Sequence, residues 1–355
     1  MKKLEGLDIF TEILKTPGVS GYEDTIRDKL RGMIADQTRV EDLDNIREDN
    51  IGNLIYEMSN PDDKPEVALV AHMDEIGLVV SNIEDNGYLR IKKIGGVLDP
   101  LLPGRHVTIQ TDEGPINGVI GHKPPHLTTD KDKDDEATPW TKTYVDVGAD
   151  SAEEVKEMGI DVPDPITFDK KLRRLKDQVI SGRGLDNRVG CYALFEVMKN
   201  FVSDGEPKNV SSSFIWSVQE EIGLRGAKVV ANTMEPDYVI ALDTYSTSDM
   251  PGVEEFYKPI MFGEGPVIRM VDTRAISSPN MVDHFKEVAE NKEIPYQYGV
   301  TGGTTDGMAL QEGGCLTVAI GVPVRYSHST VECGDWRDIK SLIELITEGV
   351  RELPL

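Results

Sequence analysis

The sequence predicts an α/β protein with a doubly wound, mostly parallel sheet, into which a small β domain is inserted. Short runs such as EVALVAH, at residues 66–72, are almost continuously apolar, which is typical of strands buried on both faces of a sheet. Such runs alternate with helical patterns in both terminal parts of the chain. Between residues 76 and 171 the runs become short and alternating and are broken by Gly and Asp, which favours hairpins that close into a barrel.

The elements outside the insertion can be assigned in order from their patterns. Before it, we expect helices at residues 7–14 and 23–35 and strands at 51–58 and 67–71. After it, we expect a helix at 185–201, strands at 211–221 and 237–243, a helix at 280–290, a strand at 315–324 and a helix at 338–353. We therefore predict a catalytic domain of residues 1–75 and 174–355 around an inserted β domain of residues 76–173. The charged stretch at 128–142 has no periodicity and is expected to be a mobile loop.

The composition excludes several classes of partner. The 355 residues include 63 acidic and 38 basic side chains, a formal net charge of −25, which argues against binding to nucleic acid or to anionic membranes. No stretch of 18 apolar residues occurs, so we expect no membrane span. The three cysteines are too few and too scattered for a disulfide framework, and this fits a reducing cytoplasm.

Histidines and carboxylates cluster where the predicted strands end, which is where open parallel sheets bind their ligands. The residues concerned are His72, Asp74, Asp186, Glu220, Glu221, Asp243 and His328. A single acid at a strand end is usually a helix cap or a solvated turn, but a whole set favours a metal site. Nitrogen and oxygen ligands without thiolate suit Zn²⁺, Co²⁺ or Mn²⁺. Five ligands exceed the needs of one catalytic zinc, whereas two metals about 3.5–4 Å apart that share a carboxylate use them all.

The tandem acids Glu220 and Glu221 suggest how such a site could be catalytic. Adjacent side chains on an extended backbone point in opposite directions, so one acid can hold a metal while the other stays free as a general base. The alternative is a pair of solvated acids at a strand end. The glycines that follow, Gly223 and Gly226, indicate a sharp turn and favour a built loop.

Several motifs resemble those of the M42 metallo-aminopeptidases, the tetrahedral (TET) peptidase family. They are AHMDEIG at 71–77, GHKPPHL at 121–127, GLDNR at 184–188, EEIGLRGA at 220–227, ALDT at 241–244 and RYSHSTVE at 325–332. The resemblance covers nearly the whole chain in the right order, and EEIGLRGA and GHKPPHL are its most specific parts.

This resemblance implies a role for each candidate residue. One metal would be held by His72, Asp186 and Asp243, and the other by Asp186 as a bridge together with Glu221 and His328. Glu220 would be the base, and Asp74 would orient His72. The resemblance also implies two divalent ions per subunit, Zn²⁺ or Co²⁺ with Mn²⁺ as an alternative. The insertion would be a PDZ-like domain used in homo-oligomeric assembly, based on dimers and extending to hollow dodecamers that admit peptides.

Two segments depart from the family pattern. The family usually reads GGTDA where this chain has GGTTDG, at residues 302–307, and the stretch at 243–252 also differs. The first of these is expected near the substrate, so the preferred N-terminal residue stays open, as does the choice between dimer and dodecamer.

We therefore predict a two-metal hydrolase that removes N-terminal residues from peptides, with Glu220 activating the metal-bridged water. A metal-dependent deacylase or carboxypeptidase could use the same cluster, but it would accept substrates with a blocked N-terminus. A glycosidase is disfavoured because two adjacent acids do not lie across a sugar ring. A non-catalytic protein held together by metal is disfavoured because a structural site needs no free base.

Overall fold

The strands of the chain form a mixed sheet and a closed β-barrel. The computed structural model describes residues 4–38, 40–58, 64–127, 138–253 and 259–354. The helices are α1 (Leu7–Lys15), α2 (Asp24–Ala35), α3 (Ala152–Glu157), α4 (Leu185–Asp204), α5 (Arg225–Thr233), α6 (Pro279–Asn291), α7 (Asp306–Gln311) and α8 (Trp336–Arg351). None of the described helices is long and apolar enough to cross a membrane.

The strands divide between the two parts. The large sheet contains β1 (Ile46–Glu48), β2 (Leu54–Glu57), β3 (Glu66–His72), β10 (Arg173–Arg174), β11 (Val179–Gly182), β12 (Ser211–Ser217), β13 (Tyr238–Ser246), β14 (Val267–Val271), β15 (Gln297–Val300), β16 (Leu316–Arg325) and β17 (Glu332–Asp335). The barrel contains β4 (Gly77–Ile83), β5 (Leu89–Ile94), β6 (His106–Thr111), β7 (Gly114–Ile120), β8 (Tyr144–Asp146) and β9 (Pro165–Phe168).

The large sheet is parallel at its centre and antiparallel towards its edges. Its strand order is β1-β2-β12-β3-β13-β16-β17-β11-β10, and β14 and β15 attach beside β16. The strands β12, β3, β13 and β16 run parallel to one another, as the alternation of strands and helices predicts. The outer pairs β1–β2 and β10–β11 are antiparallel because short turns, without crossover helices, join their strands.

Helices cover both faces of the sheet, and β3 shows how the sequence achieves this. Leu69 packs into a large apolar cluster that includes residues of α1, α4 and α8, whereas the neighbouring Val70 packs into a second cluster with residues of α5 and α7. Successive strand side chains point to opposite faces, so a strand covered on both faces must be apolar at every position. The doubly wound α/β architecture is confirmed.

The barrel closes in the strand order β4-β5-β8-β7-β6-β9 around its own apolar core. All six strands, and the short helix α3, lie within the predicted insertion of residues 76–173. The exact limits of that insertion stay a prediction. Most of the charged segment predicted as a mobile loop lies outside the described residues, and its described end, Trp140–Lys142, forms a 3-10 turn.

Candidate metal centre and active site

The structure brings the five predicted metal ligands together at the carboxyl ends of the parallel strands. His72 is the last residue of β3, and Asp243 lies on the neighbouring strand β13. Asp186 lies in the first turn of α4, Glu221 in the loop after β12, and His328 in the loop between β16 and β17. Their ligand atoms form two overlapping groups, within each of which they lie no more than 4.8 Å apart.

Asp186 belongs to both groups, and each of its carboxylate oxygens faces a different histidine. Asp186 Oδ1 lies 3.4 Å from His72 Nε2, and Asp186 Oδ2 lies 3.7 Å from His328 Nε2. The Ser327 hydroxyl donates a hydrogen bond of 3.0 Å to Oδ2, which helps to fix the orientation of the carboxylate. This is the geometry expected of a carboxylate that bridges two metal ions.

The spacing and chemistry of the donors fit divalent metals. Ligands at 2.0–2.2 Å from a tetrahedral zinc ion are about 3.4 Å from one another. His72 Nε2 lies 3.8 Å from Asp243 Oδ1, and His328 Nε2 lies 3.5 Å from Glu221 Oε2. Nitrogen and oxygen donors at these separations suit Zn²⁺, Co²⁺ or Mn²⁺.

The electrostatics of the cluster also indicate a need for positive charge. Burial raises the pKa of Glu220 and Glu221 well above the usual range of a carboxyl group, and neighbouring carboxylates add to the effect. Burial alone would lower the pKa of His72, but Glu220, Asp186, Asp243 and Asp74 together raise it well above its usual value. Metal ions would compete with protons for these groups, so metal binding should weaken at low pH.

The backbone of the tandem acids, Glu220 and Glu221, differs from the extended conformation expected from the sequence. The strand predicted at 211–221 ends at Ser217, so Glu220 and Glu221 lie in a loop and not on extended backbone, and Gln219 just before them has a φ of 56°. They nevertheless diverge, since Glu221 lies beside His328 whereas Glu220 Oε2 lies 4.0 Å from His72 Nε2. The predicted separation of roles therefore has a geometric basis, but the reason given for it was wrong.

Asp74 supports both of these acids as well as His72. Its Oδ1 lies 3.4 Å from His72 Nδ1 and accepts a hydrogen bond of 2.9 Å from the backbone N–H of Glu220. Its Oδ2 accepts bonds from the backbone N–H of Glu221, at 3.2 Å, and from the Ser20 hydroxyl, at 2.6 Å. Asp74 is thus placed to position three candidate site residues, more than the single one that the sequence suggested.

Two further buried carboxylates near the site were missed. Glu332 accepts hydrogen bonds from the backbone N–H groups of Asp186, at 3.2 Å, and His328, at 3.0 Å, so it ties a helix start to the loop that carries His328. Burial raises the pKa of Glu332 to about 8. Asp306, at the start of α7, accepts a hydrogen bond from Ser217, whose strand position pairs with His72. The only sequence signal for Glu332 was its place at the end of the RYSHSTVE motif.

A glycine of the barrel contacts His328 and was also missed. A Cβ atom at Gly96 would lie 2.6 Å from His328 Nδ1, closer than real Cβ atoms approach other atoms. The loop that follows β5 therefore lies directly against the histidine ring, and only glycine permits this approach. The barrel thus helps to position one of the predicted ligands.

The cluster opens into a cavity of about 520 Å³. The five predicted ligands and Glu220 line it, whereas Asp74 and Glu332 are buried and are not part of its lining. Arg269, Arg274 and residues 301–304 also line it, and the last of these overlap the segment 302–307 that departs from the family pattern. A cavity of this size can take the end of a peptide next to the cluster.

Cys191 lies close to the site but is not suited to act as a nucleophile. It is buried, and its thiol donates a hydrogen bond to the His72 carbonyl at 3.1 Å. Burial raises the pKa of this thiol to about 12, so the thiolate is scarce at neutral pH.

The fold and the site together define a class of α/β enzyme whose parallel strands present histidines and carboxylates suited to divalent metals. Residues 52–345 match the family described as M42 glutamyl aminopeptidase, so the chain belongs to that family. The predicted resemblance is confirmed, and so is the predicted enzyme class, because this is a family of metal-dependent aminopeptidases that hydrolyse peptide bonds.

The similarity to individual relatives extends over almost the full length of the chain. The lysyl aminopeptidase of Pyrococcus furiosus is 34% identical over 351 residues, which cover 98% of this chain and 97% of the relative. The glutamyl aminopeptidase of Lactococcus lactis is 31% identical over 333 residues, which cover 93% and 90%. The TET1 peptidase of Pyrococcus horikoshii, described as assembling into a tetrahedron or a large octahedral shell, superposes with a TM-score of 0.89 at 38% identity over 98% of this chain and 99% of that one.

Proposed function

We propose that this protein is a two-metal aminopeptidase that releases N-terminal residues from peptides. The observation that carries the proposal is the division of labour around Asp186. Its two oxygens face two separate ligand groups, and Glu220 stands outside both groups but next to them. A site that served only to hold metal would have no use for such a free carboxylate.

In this proposal His72, Asp186 and Asp243 hold one ion, and Asp186, Glu221 and His328 hold the other. The ions are Zn²⁺ or Co²⁺, with Mn²⁺ also suited to the donors. When bound, they supply an attacking water of lowered pKa and polarise the carbonyl of the peptide bond.

Glu220 is the residue that moves the proton. Its side chain is only 12% exposed, which keeps bulk water away from the carboxylate. Positive charge among the surrounding carboxylates lowers its pKa, so that it can accept a proton from the attacking water. Glu220 then donates this proton to the leaving amine as the peptide bond breaks. Asp74 acts through the backbone of residues 220 and 221 and is a positioning residue.

The cavity wall suggests which N-terminal residues fit. The exposed Arg274 lines the cavity, and so does the buried Arg269, whose Nη1 lies 3.6 Å from Asp272 Oδ2. The exposed guanidinium of Arg274 favours an acidic side chain, so we propose that peptides beginning with Glu or Asp are cleaved faster than those beginning with Lys.

The similarity to the TET1 peptidase supports further proposals. We propose a homo-oligomer built from dimers, up to a dodecamer, in which the insertion of residues 76–173 is a PDZ-like domain that contributes to assembly. The free cysteines of the described chain suit the cytoplasm as its compartment.

The first experiment is a panel of aminoacyl chromogenic amides, each with a free and an N-acetylated amine. The protein is stripped of metal and assayed with and without Co²⁺, Zn²⁺ or Mn²⁺. We expect metal-restored cleavage of the free-amine substrates alone, with the acidic ones fastest. Cleavage of the acetylated substrates would instead indicate a deacylase or an endopeptidase.

The tandem acids provide a matched pair of variants that tests the roles. Glu220→Gln should retain both metals while kcat falls by about 10²–10⁴-fold, the range for loss of a general base. Glu221→Gln differs by one position and should instead lose metal, with partial rescue of activity by excess metal. Full activity in Glu220→Gln would show that the base is assigned wrongly.

A further inference from the structure

A second cavity, of about 210 Å³, lies where the barrel meets the large sheet. Barrel residues 104–106 and 168–169 form one side, and residues 181–183 and 330–331 of the sheet region form another. At roughly 30 Å³ per water molecule, the cavity has room for about seven waters or for a small ion with its hydration. It is separate from the cavity at the candidate metal centre, with which it shares no lining residue.

This second cavity carries an excess of positive charge in a strongly acidic chain. Its lining includes Arg105, His106, Lys171, Arg173 and Arg183. Asp169 is the acidic residue of the lining, and it pairs with Lys171 at 3.0 Å. A chain with a net charge of −25 would not be expected to concentrate cations in a concave site by chance.

Two buried donors in the lining have no hydrogen-bond partner within the described chain. Arg183 is 2% exposed, its guanidinium lies over the ring of Phe168, and its Nε is unpartnered. The hydroxyl of Thr330 is likewise buried and unpartnered. Because a buried donor without an acceptor is costly, both atoms point to a ligand rich in acceptor oxygens.

We propose that this cavity binds a small tetrahedral oxyanion of the phosphate type and that the bound anion controls the loop that carries His328. Arg105, Lys171 and Arg173 supply charge, since Arg183 already faces Glu75 at 3.9 Å, and the Nε of Arg183 and the hydroxyl of Thr330 supply hydrogen-bond donors. An arginine-rich concave site is well suited to an oxyanion because guanidinium groups bind such ions through paired, charge-assisted hydrogen bonds.

The link to His328 is the loop of residues 326–331, which separates the two cavities. Ser327 and His328 line the cavity at the metal centre, whereas Thr330 and Val331 line the cationic cavity. Arg183 Nη1 also donates a hydrogen bond of 3.3 Å to the carbonyl of Ser329. An anion that binds Arg183 and Thr330 therefore acts on Ser329 and Thr330, the two residues that follow His328.

The backbone of this loop is already under strain. Tyr326 has a φ of 62° and His328 a φ of 60°, values that side chains other than glycine rarely adopt. A loop held in such a conformation depends on its contacts, so a ligand on one side can shift it. This second half of the inference rests on the proposed role of His328 as a metal ligand, whereas anion binding itself does not.

The test of binding is calorimetric titration of inorganic phosphate into the metal-loaded protein. Arg173→Glu reverses one charge of the cationic cavity. Lys208→Glu makes the same charge change at an exposed position just before β12, which is not part of the cavity lining. We expect Arg173→Glu to bind phosphate at this site at least about tenfold more weakly, as for loss of one charge-assisted hydrogen bond. Lys208→Glu should bind like the parent. Equal affinity in all three proteins overturns the site.

The test of coupling uses the same variants in the hydrolysis assay. We expect phosphate to change kcat/KM of the parent by about fivefold, the lower end of usual couplings between sites, and Arg173→Glu to lose this response. An identical response in parent and variant overturns the coupling. If neither protein hydrolyses any substrate but phosphate binding still depends on Arg173, the proposed function fails and the anion site stands.

Discussion

The two candidate metal positions are held by different kinds of structure. The inner position, His72 with Asp186 and Asp243, rests on two adjacent central strands, and the His72 side chain is only 3% exposed. The outer position, Asp186 with Glu221 and His328, rests largely on loops, and the His328 side chain is 41% exposed. The difference suggests a rigid inner position and an outer position that exchanges metal more readily.

The supports behind the two positions differ in the same way. Behind the inner position, Glu75 follows Asp74 and is buried with Lys170, whose Nζ lies 2.6 Å from Glu75 Oε1, and with Arg188 at 3.7 Å. The outer position is supported by Glu332 and by the contact of Gly96 with His328. The inner position thus lies close to a buried ion cluster in the sequence, whereas the outer position is supported by loop contacts.

The largest effect should come from exchanging the histidines one at a time. His72→Ala should abolish tight metal binding at the inner position and disturb the shared Asp186. Loss of a group that only supports a ligand lowers activity by up to about 100-fold, so we expect a larger loss here. His328→Ala should keep one tightly bound metal and recover activity partly in excess metal. Metal content after dialysis and kcat/KM at rising metal concentration measure both effects.

The opposite pattern would contradict the comparison. If His328→Ala lost both metals and His72→Ala lost only one, the exposed position would be the tighter one, and sheet burial would not determine metal affinity at this site.

The same contrast explains what could be predicted from the sequence. His72 and Asp243 lie at or near the ends of apolar strands, and parallel strands bring their carboxyl ends together, so the pattern alone predicted that both belong to the candidate site. Their assignment to one metal position came from the family resemblance. The barrel followed from its change of pattern. These features depend only on the hydrophobic period and the composition of short segments.

The supports could not be predicted because they depend on distant contacts. Glu332 binds the backbone of Asp186, which lies 146 residues earlier, and Gly96 contacts His328 across the boundary between barrel and sheet. Neither leaves a periodic pattern. The loop conformation of Glu220 and Glu221 was missed for a related reason, since Asp74, 146 residues before Glu220, fixes their backbone.

A smaller effect should follow from crowding the outer position alone. Gly96→Ala places a methyl group against His328 Nδ1, so the ring must move, and we expect about tenfold weaker binding of the outer metal, the lower end for disturbed ligand support. The inner metal should be unaffected. Gly32→Ala is the control, because a Cβ there meets only open space on α2. Calorimetric titration of metal into the stripped proteins measures both sites, and equal weakening at the two would show that Gly96 does not act on the outer position alone.

The last effect concerns the ion cluster near the inner position and is seen in stability, not in metal binding or activity. Burial lowers the pKa of Lys170 to about 7, with Arg188 and Arg183 adding to the effect and Glu75 opposing it. In the unfolded chain the pKa of this lysine is about 10.4. Between these values the unfolded chain holds a proton that the folded chain lacks, so the free energy of unfolding rises with pH, by up to about 1.4 kcal/mol per pH unit.

Lys170→Met removes this contribution, so the parent protein should gain stability relative to the variant as the pH rises from about 7.5 to 9.5. Lys171→Met is the control, because that neighbouring side chain is 68% exposed and should follow the parent at every pH. Thermal unfolding across this pH range measures the difference in stability between the parent and each variant. The titration of other groups cancels in this difference. Parallel curves for all three proteins would mean that Lys170 keeps its proton throughout, and the support of the inner position would then be a fully charged ion cluster.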